Sequence, residues 1–361
     1  MTGQTAVKND IGESVWNIEW IAKTPDAITG QAISKVNDSA LSLWSPAGTA
    51  PDGGSARKGG SGQQLLAGTT PADRKIYTFL SNGGSSSEKL SANPLAEDNN
   101  AISKERLGNA AMSDTTQSSL INFARGGDPN NGNCSDGIWM STPCKTWRDW
   151  AHADILHSKP VILNYTADSQ YAFYLSTDGI LHAVNTSDGS EKWAFTIEEA
   201  LPQQSALLAD QQGEHNIIAD GSPSIFFDDA NRNGLVDSGD RLTLYFGQRR
   251  GGSAYYALDI TDINEPKFLW KIVGGMGVAG KGEICVGTST CSAEAKYDEL
   301  GQTWSYPGVG KVRAKTPATG RPTPVLIFGG GYDPNQDNDP VVAADSMGRA
   351  LYIVDGTAAP W

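Results

Sequence analysis

Positive charge is in short supply: 28 Lys and Arg stand against 41 Asp and Glu, a formal net charge of −13 over 361 residues. A surface of that sign repels phosphate backbones and anionic headgroups, which disfavours nucleic acid and membrane surfaces as partners. No run of about 18 apolar residues occurs, so no segment reads as a membrane span. Histidine and cysteine number four each, and no Cys-x-x-Cys pair is present, which makes a zinc site a poor reading. A Gly-x-Ser-x-Gly elbow, a phosphate loop and a dinucleotide fingerprint are also missing. The start, Met1-Thr2-Gly3-Gln4-Thr5, lacks the charged stretch and apolar core of a signal peptide.

What is present points to a loop-heavy exported β protein. Glycine is abundant (41 residues), as is tryptophan (10). The cysteines form two close pairs in turn-rich segments, Cys134 with Cys144 and Cys285 with Cys291. Such pairs read as local disulfides in an oxidising compartment in preference to free thiols.

Residues 1–150 read as a loop-rich part with short strands. Tryptophan-bearing patches (Val15–Trp20, Leu41–Trp44) alternate with Gly/Ser/Pro/Ala stretches, the longest from Ser45 to Thr70. One helix is expected over Asp114–Ala124, with Ser113 or Asp114 as its cap and Gly126-Gly127 as its stop. It would turn Leu120, Ile121 and Phe123 toward a core. From residue 151 to 361 the texture is all-β, with strands expected at 160–165, 172–175, 224–227, 242–246 and 324–328 between Gly, Asp and Asn turns.

A repeat lies over that pattern. Leu181-His182-Ala183-Val184-Asn185 leads to Trp193; Tyr255-Tyr256-Ala257-Leu258-Asp259 leads to Trp270; Leu351-Tyr352-Ile353-Val354-Asp355 leads to Trp361. Each unit is a strand ending in Asn or Asp, a turn, and a second strand with Trp. The Asx side chain can accept a backbone N–H in the turn, and Trp can fill the space between stacked sheets. Units that cannot bury their own faces are the material of a β-propeller, here with long insertions between blades. Three coincidental hairpins in a β-sandwich are the plainer alternative.

The segments Tyr245-Phe246-Gly247-Gln248-Arg249-Arg250-Gly251-Gly252, Val325-Leu326-Ile327-Phe328-Gly329-Gly330-Gly331-Tyr332-Asp333 and Leu351–Asp355 resemble signatures of the PilY family of type IV pilus tip-associated proteins. Asp154–Val161, Leu120–Gly126 and Arg74–Phe79 resemble the approach to that family's C-terminal propeller, in the same order. The resemblance implies a modified, quinoprotein-like β-propeller, incomplete because the chain stops at Trp361 inside a repeat. It implies an adhesin and biogenesis factor, exported through the periplasm of a Gram-negative bacterium to the pilus tip at the cell surface. That factor would promote pilus assembly against retraction, twitching motility and adhesion. Minor pilins or the pilus tip complex are the implied partners, together with a host-cell or surface receptor.

The sharpest local motif is Asp229-Ala230-Asn231-Arg232-Asn233-Gly234-Leu235-Val236-Asp237-Ser238-Gly239-Asp240. A short backbone wound round one ion points alternate groups inward, and Gly234 allows the sharp turn at position six. Asp229, Asn231, Asn233 and Asp237 would supply side-chain oxygens and Leu235 its carbonyl; all are hard donors, which suits Ca2+. Position twelve is Asp240, shorter than the usual Glu. The flanking strands make this a hairpin loop, not a helix–loop–helix. A solvated Asx-rich turn is the bland alternative, and the matching position in PilY proteins supports calcium. A second acidic stretch, Asp333–Asp339, lacks the glycine and reads as a solvated loop.

Catalysis is disfavoured. Asp154, His157 and Ser158 are crowded into five residues, whereas triads converge from separate segments. His182 reads as packing or an interstrand hydrogen bond. Arg249 and Arg250 read as a blade loop paired with nearby acids. The enzyme alternative is a pyrroloquinoline-quinone dehydrogenase, because Asp178–Ala183 through Trp193 resembles its Trp-bearing repeats. Those enzymes often carry adjacent cysteines, which this chain lacks.

Overall fold

The computed structural model describes residues 59–68, 70–128, 146–209, 216–278, 280–287, 290–312, 323–340 and 344–357, with Trp44 and the backbone of four strands nearer the N-terminus. Two units emerge, residues 1–68 and 69–361. In the first, β1 (Ala6–Lys8) pairs with β2 (Ser14–Trp16) and β3 (Ile21–Pro25) with β4 (Ala32–Val36), both antiparallel. Helix α1 (Gly60–Gly68) follows, inside the stretch expected to be loop. Its core, Gln63-Gln64-Leu65-Leu66-Ala67, consists of good helix formers that the surrounding glycines obscured.

The second unit is mostly β. Strand β5 (Ile76–Thr78) precedes helix α2 (Asp114–Ala124), and then come β6 (Val161–Thr166), β7 (Ser169–Leu175), β8 (Ile180–Asn185) and β9 (Glu191–Thr196). These strands form a five-stranded sheet in the order β5-β9-β8-β7-β6, with β5 parallel to β9 and the rest antiparallel. Helix α3 (Gln204–Ala209) leads to an antiparallel sheet of six: β10 (Ser224–Asp228), β11 (Arg241–Gly247), β12 (Ala254–Asp259), β13 (Lys267–Val278), β14 (Lys281–Val286) and β15 (Cys291–Ala293). A third sheet holds β16 (Gly308–Val312), β17 (Thr323–Gly329) and β18 (Leu351–Asp355).

The sheets stack because their strands are apolar on both faces. Along β12, Ala254, Tyr256 and Leu258 join the core shared with the first sheet, while Tyr255 and Ala257 join the core shared with the third. This is the two-residue period of a strand buried on both sides. A separate core packs Leu120, Ile121 and Ala124 of α2 against Ile180 and Ala194 of the first sheet. Ser113 caps α2 by accepting the Thr116 N–H at 3.1 Å, and Gly126 ends it with φ of 99°. Phe123, expected in the core, is only half-buried, and the Arg148 guanidinium lies 4.1 Å from its ring centre.

The repeat is structural. Ala183 pairs with Trp193 across β8 and β9, Ala257 pairs with Trp270 across β12 and β13, and each ladder shifts register at the next residue. The Asx turn recurs three times: Asn185, Asp259 and Asp355 each accept the N–H of the second residue onward, at 2.9, 2.9 and 2.8 Å. The sheets are also tied by a bond that no sequence pattern announced. Tyr165 Oη donates to Ile260 O at 2.5 Å, and Tyr245 Oη donates to Gly356 O at 2.7 Å. Ile260 and Gly356 both directly follow the Asx residue of their sheet. A Cβ on Gly356 would lie 2.6 Å from Tyr245 Oη, so the close approach requires glycine there.

The described residues form no closed ring or barrel. The third sheet ends at β18, where Leu351 and Ile353 are 69% and 56% exposed. A disulfide joins Cys285 and Cys291 across β14 and β15, with S–S 2.01 Å. Cys134, Cys144 and Trp361 lie outside the described residues.

Candidate metal centre

Strands β10 and β11 pair from Ser224↔Tyr245 to Asp228↔Arg241, and Arg241 Nη2 donates to Asp228 Oδ2 at 2.8 Å to close the neck of the hairpin. The twelve residues 229–240 form its loop. Asp229 sits at the entrance and gathers the turn: its Oδ1 accepts from Arg232 N (2.5 Å) and Asn233 N (3.2 Å), and its Oδ2 from Gly234 N (2.8 Å). Asn231 Oδ1 accepts the Asn233 N–H, and Asn233 Oδ1 accepts the Leu235 N–H at 2.8 Å. Gly234 has φ of 76°, and a Cβ added there would meet no atom within 4 Å, so backbone conformation, not crowding, selects glycine.

Three of the five residues expected as ligands meet through their side chains, while the Asp229 carboxylate accepts backbone N–H groups of the same turn. The amide nitrogens of Asn231 and Asn233 both donate to one atom, Asp237 Oδ2, at 2.9 and 2.7 Å. Leu235 lies in the same turn, tied by its N–H to Asn233. An Asn amide presents oxygen in place of nitrogen after a half-turn about its terminal bond. Two amides aimed at one carboxylate could offer oxygens to a cation at that point only by giving up the backbone N–H groups that their oxygens accept. Asn231, Asn233 and Asp237 are exposed, leaving the point open to solvent. Among the described residues no group of three or more His, Cys, Asp and Glu could hold a metal. The loop gathers two carboxylates and two amides, a set that suits a hard, oxygen-seeking cation.

Asp240 serves differently. It is buried, and its two oxygens accept Ala230 N and Asp237 N, each at 2.8 Å. It clamps the two arms of the loop together and stays outside the ring of expected ligands. The Val236 N–H reaches across to Asn164 O of β6 at 3.1 Å, and the Val236 side chain packs against the core between the first two sheets. The loop thus bridges two sheets, a tertiary fact absent from its own motif.

The remaining candidates resolve as structural groups. Asp333 is buried and accepts Asn335 N, Ser346 N, Ser346 Oγ and Met347 N, so it brackets a turn. Asp154, His157 and Ser158 do not converge: His157 Nδ1 meets Asp220 Oδ2 at 2.6 Å, and Ser158 Oγ accepts the Leu175 N–H. Arg249 pairs with the same Asp220 at 2.6 Å and lies over the Trp304 ring. His182 makes the interstrand bond expected of it, Nδ1 to Glu191 Oε1 at 2.8 Å.

Sequence reasoning missed the relay behind His182. Its Nε2 lies 2.9 Å from Ser176 Oγ, and Glu191 is held by Arg74 Nε and Nη2 at 2.6 and 2.8 Å. The Ser176–His182–Glu191 distances match those of a hydrolytic triad. Ser176 is nevertheless fully buried and donates to Asp178 Oδ1 at 2.5 Å, so the hydroxyl faces a fixed partner with no room for substrate. Burial acts to raise the Glu191 carboxyl, but Arg74 and His182 outweigh it and hold the group well below the usual carboxylate range. The only prior signal was the alternation that placed His182 and Glu191 on adjoining strands.

No family model matches the chain. It is 26% identical over 278 residues, 68% of its length, to the type IV pilus biogenesis factor PilY1 of Pseudomonas aeruginosa strain PAK. A PilY1 homologue from Xylella fastidiosa is 26% identical over 208 residues, 49% of the chain. The chain is similar in sequence to PilY1. The match spans only 20% and 16% of those two proteins' own lengths. The crystal structure of the PilY1 C-terminal domain from P. aeruginosa aligns with 54% of this chain and 29% of its own, at 24% identity and a TM-score of 0.31. That score is too low to carry its architecture across. The family resemblance carried by the Tyr245–Gly252 and Val325–Asp333 segments is thus matched by relatives named as pilus biogenesis factors, and no dehydrogenase stands among these relatives.

Proposed function

We propose that this chain is the calcium-binding propeller portion of a cell-surface protein that supports type IV pilus biogenesis. The observation that carries the reading is the 278-residue similarity to PilY1, whose name assigns that role. The three stacked sheets, two of which share the same Ala–Trp register, support a blade-like architecture. In this reading the protein works at the pilus tip, with minor pilins or the tip complex as partners and a surface or host-cell receptor as an adhesive target. It promotes pilus extension against retraction, and so twitching motility, without catalysing a reaction.

Ca2+ would be held by the Asp229, Asn231, Asn233 and Asp237 side chains with the Leu235 carbonyl. Bound there, the ion supplies positive charge to a turn whose own oxygens now share backbone N–H groups. The chain's part is to hold the ring: Asp240 clamps its ends, and Val236 fastens it to β6. Calcium would thereby stiffen the link between the first two sheets and set the surface offered to a partner.

Two measurements test this. Deletion of the gene in its own bacterium should reduce surface pili, with restoration on complementation; normal piliation in the deletion strain would overturn the pilus role. Calorimetric titration with Ca2+ should show one saturable site in the wild type and none in Asp229→Ala/Asp237→Ala. Equal affinity in the two proteins would overturn the assigned ligand set while leaving the pilus role standing.

A further inference from the structure

A cleft in the second unit opens beside the 3-10 helix Glu198–Gln203, against β13, and has a volume of about 670 Å³. Four carboxylates line it (Glu105, Glu198, Glu199, Glu283) against two cations, Arg106 and Lys271. Both cations are already spent. Lys271 Nζ lies 2.8 Å from Glu198 Oε2 and 2.6 Å from Glu199 Oε1, and Arg106 Nη1 lies 2.5 Å from Glu198 Oε1. Glu198 is doubly compensated; Glu199 shares one lysine and accepts the Tyr256 hydroxyl at 2.5 Å. Each Glu199 oxygen therefore keeps acceptor capacity. The Glu283 carboxylate makes no hydrogen bond or ion pair with any described residue. An anionic ligand would have to strip Lys271 or Arg106 from buried partners, whereas a cation meets open acceptors.

The strand register sets a span between those acceptors. Glu283 of β14 lies directly opposite Val273 of β13, so the two share a face, and Lys271 lies two residues back on that face. The Lys271–Val273 step is roughly 7 Å along the strand. Glu199, bound to Lys271, and Glu283, opposite Val273, thus line one cleft from anchoring positions one such step apart, with the apolar Val273 side chain in the same lining. A charge, a few methylenes and a second charge are the matching chemistry.

We propose that this cleft binds an aliphatic di- or triamine, one ammonium against Glu199, another against Glu283, and the methylene chain over Val273. The site is separate from the Asp229–Asp240 loop and does not depend on the calcium reading.

Spermidine titration of the whole chain by calorimetry tests it. One saturable site is expected, weakened about tenfold or more in Glu283→Gln, because a charge-assisted contact is lost there. The Glu283 side chain holds no bond to a described residue, so this variant should keep the wild-type melting temperature. Gln203→Trp, which narrows the mouth from an exposed position, should also weaken binding. Asp229→Ala/Asp237→Ala should bind spermidine as the wild type does. Absence of binding to folded wild type overturns the proposal. Unchanged affinity in Glu283→Gln, loss in the loop variant, or displacement by equivalent Mg2+ would each reveal general attraction to an acidic surface and overturn it equally.

Discussion

At the scale of single residues, the second unit relies on charges that are buried only because they are paired. Arg74 and Glu191 side chains are 2% and 7% exposed, and His182 completes the set. Removing one partner leaves an uncompensated buried charge, which costs about 3–5 kcal/mol. Glu191→Gln should therefore lower unfolding free energy by that order in urea melts, far more than a loss of packing alone. Because the folded Glu191 carboxyl lies below its unfolded value near 4.3, its contribution is full above that pH and is lost as pH falls below it. His152 acts in the same direction. Burial, aided by the His182 ring stacked 4.4 Å away, lowers it to about 4, against roughly 6.5 when unfolded. The unfolded chain thus binds the proton first, and stability should rise between about pH 4 and pH 6.5 by a few kcal/mol. His152→Gln should flatten that rise; an unchanged slope would assign it to other groups.

At the scale of elements, the hairpin loop separates the proposed Ca2+ ligands from their scaffold. Asp237 collects both Asn amides, whereas Asp240 spends its oxygens on two backbone N–H groups. Asp240→Ala should weaken Ca2+ binding without abolishing it, by roughly tenfold, about the value of the charge-assisted bonds lost. Asp237→Ala should abolish it. The same calorimetric titration distinguishes them, and equal loss in both variants would make Asp240 a ligand. The alternating oxygen pattern was legible from position 229 to 237, since it is local and obeys the winding of one short turn. The role of Asp240 was not, because a carboxylate that clamps and one that ligates look alike in sequence. The span of helix α2 and its glycine stop were legible, the cap was narrowed to Ser113 or Asp114 and is Ser113, while the placement of Phe123 depended on Arg148 arriving from a distant segment.

At the scale of the whole molecule, the repeat defines shared cores. Trp193 fills the core between the first and second sheets, and Trp270 the core between the second and third. Trp193 also donates its Nε1–H to Ile263 O in the neighbouring sheet's turn at 2.9 Å. Each Trp→Ala change should cost about 3–5 kcal/mol. Since each core belongs to two sheets, both variants should shift one cooperative transition in the second unit. A variant that melted a single sheet and left its neighbour folded would contradict shared packing.

The amino-acid sequence by itself determined the β character, the strand–Asx–strand–Trp units, the α2 boundaries and the spacing of oxygen donors in the 229–240 loop. Each follows from steric and hydrogen-bonding preferences acting over a dozen residues or fewer. Only the tertiary structure decided which faces of those strands meet, that Tyr165 and Tyr245 fasten successive sheets, and that Val236 ties the loop to β6. It also decided that Ser176, His182 and Glu191 are closed off from any substrate. Those outcomes depend on contacts between segments tens of residues apart, where pairing of buried charge and filling of shared volume, not local preference, set the arrangement.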